Sequence, residues 1–268
     1  MTAPFVMIAD SHQLYLRDWG DGQPIVLLAG WSMDGRAWGE TMVRLNTAGC
    51  RTIAYDRRGH GRSTDPGRYD YDALADDLAA VLDALDLRNV VLVGHSGAVG
   101  EIIRYLSRHG DERVARVVLV AATGPRMIAA VDGDVGITRD VADAAIARIA
   151  EDLTGWIAEN IEPFAPQADE DTLRWMATMP RDASRRGLVD FQRAILETDF
   201  TEEARAIEIP VTLIHGDQDA SAPIDWTARR YAELIPHAEL LIYEGVAHGV
   251  MFTHSARLAA DITRVPSI

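Results

Sequence analysis

The chain has 268 residues with an ordinary apolar content and a formal net charge of −15, a length that predicts one α/β core with a modest insertion. The negative charge argues against nucleic acid and anionic membranes as partners. A single cysteine, Cys50, excludes an internal disulfide, no apolar run is long enough to span a membrane, and the first residues lack the pattern of a targeting signal, so we expect a cytoplasmic protein.

The first half of the chain alternates short apolar runs with stretches of helical periodicity. Two strand-like runs at 5–8 and 13–16, with a turn at 10–12, predict a hairpin at a sheet edge. Four buried strands are then predicted, and each of the first three is followed by a helix. The strands are 25–28, 52–55, 90–93 and 117–120, and the helices are 37–48, 71–85 and 98–106. This alternation indicates parallel strands joined by right-handed crossovers.

The pattern changes at residue 125. Residues 125–207 contain no strand-like run, and helices are predicted at 138–161, 169–179 and 185–199. The alternation then resumes with strands at 211–214 and 240–243 and helices at 224–235 and 254–264. We therefore expect a mostly parallel, eight-stranded sheet flanked by helices, with a helical cap inserted after the sixth strand. The core would comprise 1–124 and 208–268, and the cap 125–207.

Ser96 occupies the turn between the strand at 90–93 and the helix that begins at Ala98. Such a turn lifts one side chain above the carboxyl end of a parallel sheet and directs the next backbone N–H into the same space. It requires small residues two positions to either side, and Gly94 and Ala98 satisfy that requirement. From these residues alone, Ser96 could equally be an ordinary helix N-cap.

The segment 94–98 resembles the nucleophile elbow of α/β-hydrolases, G-x-S-x-G, with Ala98 in place of the final glycine. Residues 30–33, 55–63 and 104–110 look like the cofactor-free (non-haem) haloperoxidase, perhydrolase and arylesterase branch of that superfamily. The resemblance covers both core segments but not the cap. It implies an α/β-hydrolase fold and a structural role for the loop 56–63. The sequence has no dinucleotide fingerprint, no His-Glu-x-x-His motif and no paired cysteines, so neither a cofactor nor a metal is expected.

A serine nucleophile requires a base and a third group that orients the base. The loop 215–223 resembles the acid loop of the family and places Asp219 in the acid position, with Asp217 as the alternative. The loop 244–249 resembles the histidine loop, which makes His248 the predicted base. The order Ser, Asp, His is the one expected for this fold. Without the resemblance, either aspartate could cap the next helix and His248 could be a surface turn residue.

The tetrahedral intermediate also requires backbone donors for its oxyanion. One predicted donor is the N–H of Gly97, and the other is the N–H of Trp31, which follows Ala29 and Gly30. Family members usually have histidine where this chain has Ala29, and that histidine mostly orders the loop. Trp31 could instead be a core aromatic residue. His95 is expected to point away from the nucleophile, and His215 is expected to be structural.

Aromatic residues and methionines in and near the cap predict an apolar pocket. They are Met127, Trp156, Phe164, Trp175, Met176, Met179 and Trp226. The predicted function is a serine hydrolase that cleaves a hydrophobic or aromatic carboxylic ester or lactone, a small molecule, through an acyl-enzyme that hydrogen peroxide could also intercept. A carbon–carbon hydrolase or lyase and a slow-turnover ligand sensor remain open, as does the oligomeric state. Serine at position 96 argues against haloalkane dehalogenases and epoxide hydrolases, which need a carboxylate there.

Overall fold

One eight-stranded sheet organises the protein, whose computed structural model describes residues 4–8, 12–131 and 135–264. Its strands are β1 (Phe5–Met7), β2 (Gln13–Trp19), β3 (Gln23–Leu28), β4 (Cys50–Tyr55), β5 (Val90–His95), β6 (Val114–Val120), β7 (Val211–Gly216) and β8 (Glu239–Tyr243). The spatial order is β1-β2-β4-β3-β5-β6-β7-β8. β1 pairs antiparallel with β2, and β2 with β4, while β3 to β8 are parallel. The predicted mostly parallel sheet is confirmed.

Helices cover both faces of the sheet. In the first part they are α1 (Gly39–Thr47), α2 (Tyr71–Ala84) and α3 (Ala98–His109). After β7 they are α10 (Ala228–Leu234), α11 (Val250–Thr253) and α12 (Ser255–Thr263). Helices α2 and α3 pack together on one face, and α1 packs against α12 on the other. Every residue of β5 is buried, as expected for a parallel strand covered on both faces.

Within the described residues, six helices lie between β6 and β7. They are α4 (Arg139–Glu151), α5 (Leu153–Phe164), α6 (Glu170–Met176), α7 (Thr178–Asp182), α8 (Arg185–Glu197) and α9 (Thr201–Arg205). The two ends of this segment meet, because the backbone N–H of Phe200 donates a hydrogen bond of 2.7 Å to the carbonyl of Pro125. Helix α9 lies beyond that bond and contacts α3 and α10.

Three predicted helices differ from the observed ones. The helix expected at 138–161 is broken at Asp152, whose side chain accepts a hydrogen bond of 2.9 Å from the N–H of Gly155 and so caps α5. The stretch at 169–179 forms the two short helices α6 and α7. Helix α10 begins only after Thr227, whose ψ of −92° is not helical.

Two further predictions concern the hairpin turn near residue 10 and the membrane-spanning potential of the chain. The hairpin turn expected at 10–12 lies outside the described residues apart from His12. Among the helices that are described, none is long and apolar enough to cross a lipid bilayer.

Candidate active site

The turn after β5 holds Ser96 in a left-handed conformation, with φ of +56°. A non-glycine residue rarely adopts this conformation, and such strain occurs where a nucleophile is presented. Gly94 is required by close packing, since a Cβ there would lie 2.8 Å from Cδ1 of Ile102 and 3.1 Å from the carbonyl oxygen of Ala98. Ala98 is fully buried at the start of α3, so the turn accommodates its methyl group.

The structure brings Ser96, His248 and Asp219 into one hydrogen-bonded chain. The hydroxyl oxygen of Ser96 lies 2.9 Å from Nε2 of His248, and Nδ1 of His248 lies 2.6 Å from Oδ2 of Asp219. A carboxylate only accepts, so Nδ1 carries the ring proton and Nε2 is free to accept the hydroxyl proton. All three residues are buried and follow β5, β7 or β8 at the carboxyl edge of the sheet.

The carboxylate of Asp219 accepts hydrogen bonds through both oxygens. Oδ1 accepts from the backbone N–H of Ala222 at 2.8 Å, and Oδ2 lies 3.1 Å from Nε2 of His215 in addition to its contact with His248. Burial acts to raise the pKa of Asp219, but the charges and hydrogen bonds of His248 and His215 outweigh it and hold the pKa well below its usual range. Asp219 is therefore ionised. Asp217, the alternative, instead accepts from the N–H of Gly245 at 2.7 Å.

Two backbone N–H groups beside Ser96 are without an acceptor among the described residues, namely those of Gly97 and Trp31. Trp31 lies in the loop after β3, which turns sharply at Ser32 with φ of +64°. Its side chain is partly buried, lines a cavity and also packs against the apolar core. The indole Nε1 donates to the carbonyl of Leu188 on α8 at 2.8 Å, and the ring packs edge-on against Trp156.

A cavity of about 400 Å³ opens above Ser96 beneath the helices that follow β6. Five of the predicted pocket residues line it, namely Met127, Trp156, Phe164, Met176 and Trp226. Two do not, because Trp175 is 41% exposed and packs on Phe252, while Met179 is buried in the core. The described residues of the lining include no Asp, Glu, Lys or Arg. Thr123, Asn160, Gln192 and Ser221 add neutral polar groups.

Comparison with known proteins agrees with this geometry. Residues 25–261 match the model of the alpha/beta hydrolase family. The chain belongs to the α/β-hydrolase family. It is 38% identical to a non-heme chloroperoxidase from Kitasatospora aureofaciens over 92% of each chain, and 30% identical to a bifunctional esterase/perhydrolase from Acinetobacter calcoaceticus over 96% of this chain and 97% of the relative. A bromoperoxidase structure from Bacillus anthracis superposes with a TM-score of 0.92, at 31% identity over 96% and 97% of the two chains.

These relatives confirm the predicted fold, the predicted enzyme class and the resemblance to the non-haem haloperoxidase and perhydrolase branch. In this α/β-hydrolase the helices between β6 and β7 are included in the match, although the sequence resemblance had been confined to the two core segments.

The prediction that His95 points away from the nucleophile is wrong. Its ring lines the same cavity as Ser96, its centroid lies 4.8 Å from that of His248, and Nε2 donates to the carbonyl of His248 at 3.1 Å. The left-handed turn at Ser96 interrupts the alternation of the strand, so the two side chains share one edge. Burial and the neighbouring His248 lower the pKa of His95 to about 3, which leaves the ring neutral.

His215 contacts Asp219, a role that sequence reasoning missed. Its Nε2 faces two acceptors, the carboxylate of Asp219 at 3.1 Å and the carbonyl of Ala222 at 2.8 Å, so Nε2 carries the proton. The signal was present in the sequence, since His215 lies near the end of β7, four residues before Asp219. As for metals, no group of three or more His, Cys, Asp or Glu residues suited to a metal ion occurs within 4–8, 12–131 and 135–264.

Proposed function

We propose that this α/β-hydrolase is a serine hydrolase that cleaves an uncharged, hydrophobic or aromatic carboxylic ester or lactone through an acyl-enzyme. The observation that carries the proposal is the chain of hydrogen bonds from Ser96 through His248 to Asp219, at 2.9 and 2.6 Å. A hydroxyl of ordinary acidity becomes a useful nucleophile only when such a base accepts its proton.

In the acylation step, Nε2 of His248 takes the proton of Ser96 as the serine oxygen attacks the ester carbonyl carbon. The carbonyl π electrons move onto oxygen, and the resulting oxyanion accepts hydrogen bonds from the N–H groups of Trp31 and Gly97. When the tetrahedral intermediate collapses, the bond to the leaving alkoxide breaks and His248 returns the proton to it. Asp219 remains ionised throughout and stabilises the imidazolium.

Deacylation repeats these steps with water as the nucleophile. His248 removes a proton from the water, the hydroxide oxygen bonds to the acyl carbon, and the second intermediate collapses to a carboxylic acid and free Ser96. For a lactone, the alcohol and acid produced remain in one molecule.

The lining of the cavity supports the choice of substrate class. A charged substrate group would lose its hydration there without gaining an opposite charge, at a cost of several kcal/mol. Aromatic and aliphatic groups would instead contact Trp156, Phe164 and Met176. We therefore expect neutral acyl and alcohol groups to be preferred over carboxylate-bearing analogues.

The central test is the variant Ser96→Ala assayed on p-nitrophenyl esters of increasing chain length and on aryl lactones. We expect kcat to fall by about a million-fold, because the serine, histidine and aspartate act as a unit. The matched control is Ser107→Ala, an exposed serine on α3, which should retain wild-type turnover. A covalent serine probe should label the wild type and the control but not Ser96→Ala.

Two outcomes would contradict this function. Ester cleavage by Ser96→Ala near the wild-type rate would exclude Ser96 as the nucleophile. A burst of one acyl-enzyme equivalent with no sustained turnover would favour a ligand sensor.

Perhydrolysis is a second candidate, favoured by the relatives described as a chloroperoxidase and an esterase/perhydrolase. Hydrogen peroxide would attack the same acyl-enzyme in place of water, giving a peracid and free Ser96. We expect peracid to accumulate when peroxide is added to the ester assay and to disappear in Ser96→Ala. Ester turnover that continues in peroxide without any peracid would exclude this activity.

A further inference from the structure

A buried ion pair lies directly beneath the loop that carries Trp31. The guanidinium of Arg57 donates to the carboxylate of Glu101, with Nε 2.7 Å from Oε1 and a second contact from Nη2. Both side chains are at most 3% exposed. Arg57 follows β4, whereas Glu101 lies in the first turn of α3, the helix that starts at the nucleophile turn. The pair therefore joins two segments that flank the oxyanion region.

The remaining donors of Arg57 bind the oxyanion loop itself. Nη2 donates to the carbonyl of Ala29, and Nη1 donates to the carbonyl of Gly30 at 3.2 Å. The carbonyl of Gly30 and the N–H of Trp31 belong to the same planar, trans peptide group, so they point in opposite directions. A donor that holds this carbonyl on one side consequently fixes the direction of the Trp31 N–H on the other.

We propose that Arg57, held by Glu101, is a positioning residue that orients and polarises the peptide between Gly30 and Trp31 for oxyanion binding. This inference rests on the proposed function. The positive charge withdraws electron density from the Gly30 carbonyl and makes the attached N–H a stronger donor. Arg57 also supplies, from a different part of the chain, the loop order that the usual histidine would give where this protein has Ala29.

The environment of the pair supports a positional role over a purely stabilising one. The guanidinium lies 4.4 Å from the ring centroid of Phe191, and the hydroxyl of Tyr55 lies 3.4 Å from Glu101. Burying an ion pair costs desolvation energy that its attraction only offsets, so a buried pair adds little net stability. What this pair does add is a fixed geometry, since Arg57 binds three separate acceptor groups.

The neighbouring residue provides a matched control. Arg58 forms a similar, slightly more exposed ion pair with Asp77 through two contacts of 2.6 Å and donates to the carbonyls of Arg68 and Ala73. It thus has the same residue type, the same loop and the same kind of partner. In the part of the chain that the structure describes, none of its hydrogen bonds reaches residues 29–31.

The experiment compares Arg57→Lys with Arg58→Lys in the full-length protein at pH 8. The readouts are kcat and KM for a p-nitrophenyl ester, the inhibition constant of an aryl trifluoromethyl ketone, and the thermal midpoint. The ketone adds to a serine as a hemiketal oxyanion and so reports on transition-state binding. Lysine keeps the charge but cannot span both carbonyls and the carboxylate.

We expect Arg57→Lys to lower kcat and weaken ketone binding in parallel by about 10- to 100-fold, since loss of an oxyanion donor altogether costs about 100- to 1,000-fold. KM should change less than about threefold, because a ground-state carbonyl gains little from this donor. Arg58→Lys should lower the thermal midpoint to a similar extent but leave kcat and ketone binding within about threefold of wild type. Glu101→Gln, a second variant that leaves Arg57 in place, should show the same kcat-selective pattern more weakly.

Equal losses of kcat in Arg57→Lys and Arg58→Lys would overturn the inference, as would a kcat loss without weaker ketone binding, or a change in KM alone. If Arg57→Lys does not fold, Glu101→Gln decides by the same criteria. A wild-type protein that neither turns over esters nor forms the ketone adduct would overturn the proposed function, and this inference with it.

Discussion

Asp219 shows how a single carboxylate is fixed in a loop. One oxygen is held by the backbone N–H of Ala222 and the other by two imidazoles, those of His248 and His215. A buried carboxylate with this many donors is ionised and cannot rotate without breaking at least one hydrogen bond. His248 consequently meets an acceptor of fixed position, and the direction of its Nε2 toward Ser96 follows from that.

We predict that His215→Phe lowers kcat/KM about tenfold, because the ionised carboxylate of Asp219 loses one hydrogen bond. A hydrogen bond to a charged group contributes about 1.5–3 kcal/mol. The pKa of Asp219 should rise toward its usual range, since His215 is one cause of its depression. His215→Gln is the control, because its side-chain amide can donate from nearly the position of the imidazole Nε2. Steady-state kinetics on the preferred ester would reveal the difference, and equal losses in both variants would exclude this role of His215.

The sequence, together with the family resemblance, predicted Ser96, Asp219 and His248 as interacting residues, because each lies in a short motif directly after a predicted strand, and the structure joins the three by hydrogen bonds. It did not suffice for Arg57 and Glu101. Their contact joins residues 44 positions apart, and it exists only because β3, which carries the oxyanion loop, lies between β4 and β5 in the sheet. No local pattern encodes that adjacency, so the loop at 56–63 could only be interpreted as structural.

The strand–turn–helix unit of β5 and α3 depends on a close approach at Gly94. We predict that Gly94→Ala lowers the free energy of unfolding by about 1–3 kcal/mol, because the added methyl group would press on the carbonyl of Ala98 and on Ile102. Ester hydrolysis should also fall, since Ser96 is held by the same turn. Urea denaturation and ester kinetics measure the two effects.

Gly39→Ala is the matched control for this substitution. Gly39 begins α1, has a negative φ and has no atom within 4 Å of an added methyl group. It should therefore be neutral or stabilising by up to about 1 kcal/mol. Equal unfolding free energies for the two variants would contradict the packing argument.

Among the elements, the helices after β6 were the least predictable. The apolar periodicity of Ile146, Ile149, Leu153 and Ile157 continues through the break between α4 and α5, so periodicity alone predicts one long helix. The N-cap at Asp152 ends one helix and starts the next, but the buried residues of the two helices follow a continuous pattern. Core strands were easier to predict, because each short apolar run is limited by glycine, proline or a polar loop.

For the molecule as a whole, stability should depend on pH through buried titratable groups. Burial, then the charge of Arg57, lowers the pKa of His60 from 6.5 to about 4, and His95 is lowered to about 3. Burial raises the pKa of Glu101 from 4.5 to about 7 against the opposing effect of Arg57. Below pH 6.5, His60 and His95 each bind a proton in the unfolded chain but stay neutral in the native protein. Glu101 and Asp77, whose pKa values burial raises, act in the opposite sense, because the native state keeps a proton that the unfolded chain releases.

We therefore predict that the free energy of unfolding falls as the pH is lowered from about 6 to 4.5, by about 1.4 kcal/mol per pH unit for each proton that the unfolded chain binds in excess of the native state. His60→Asn, whose amide can still donate to the carbonyl of Arg58 as Nδ1 does, should reduce this slope by about 1.4 kcal/mol per pH unit. Urea titrations at several pH values measure both proteins. An unchanged slope in the variant would show that His60 is not one of the groups responsible.

The overall fold could be predicted because a chain of alternating strands and helices can adopt only a few topologies, and the family resemblance then selects one of them. The order β4-β3-β5 and the meeting of three distant loops at one edge follow from that topology. The sequence alone did not reveal the size of the cavity or which cap side chains face it, since both depend on how six short helices pack.

The hydrogen bond between Phe200 and Pro125 has a consequence for how such a protein can change. Since the core already brings these two positions together, the intervening stretch can be lengthened, shortened or replaced at little extra entropic cost of closing the chain, about 0.6 kcal/mol for each doubling of its length. Ser96, Asp219 and His248 all lie outside it. We therefore expect a chimera exchanged between residues 126 and 199 to change the substrate range, while the hydrogen-bonded chain of Ser96, His248 and Asp219 stays in place.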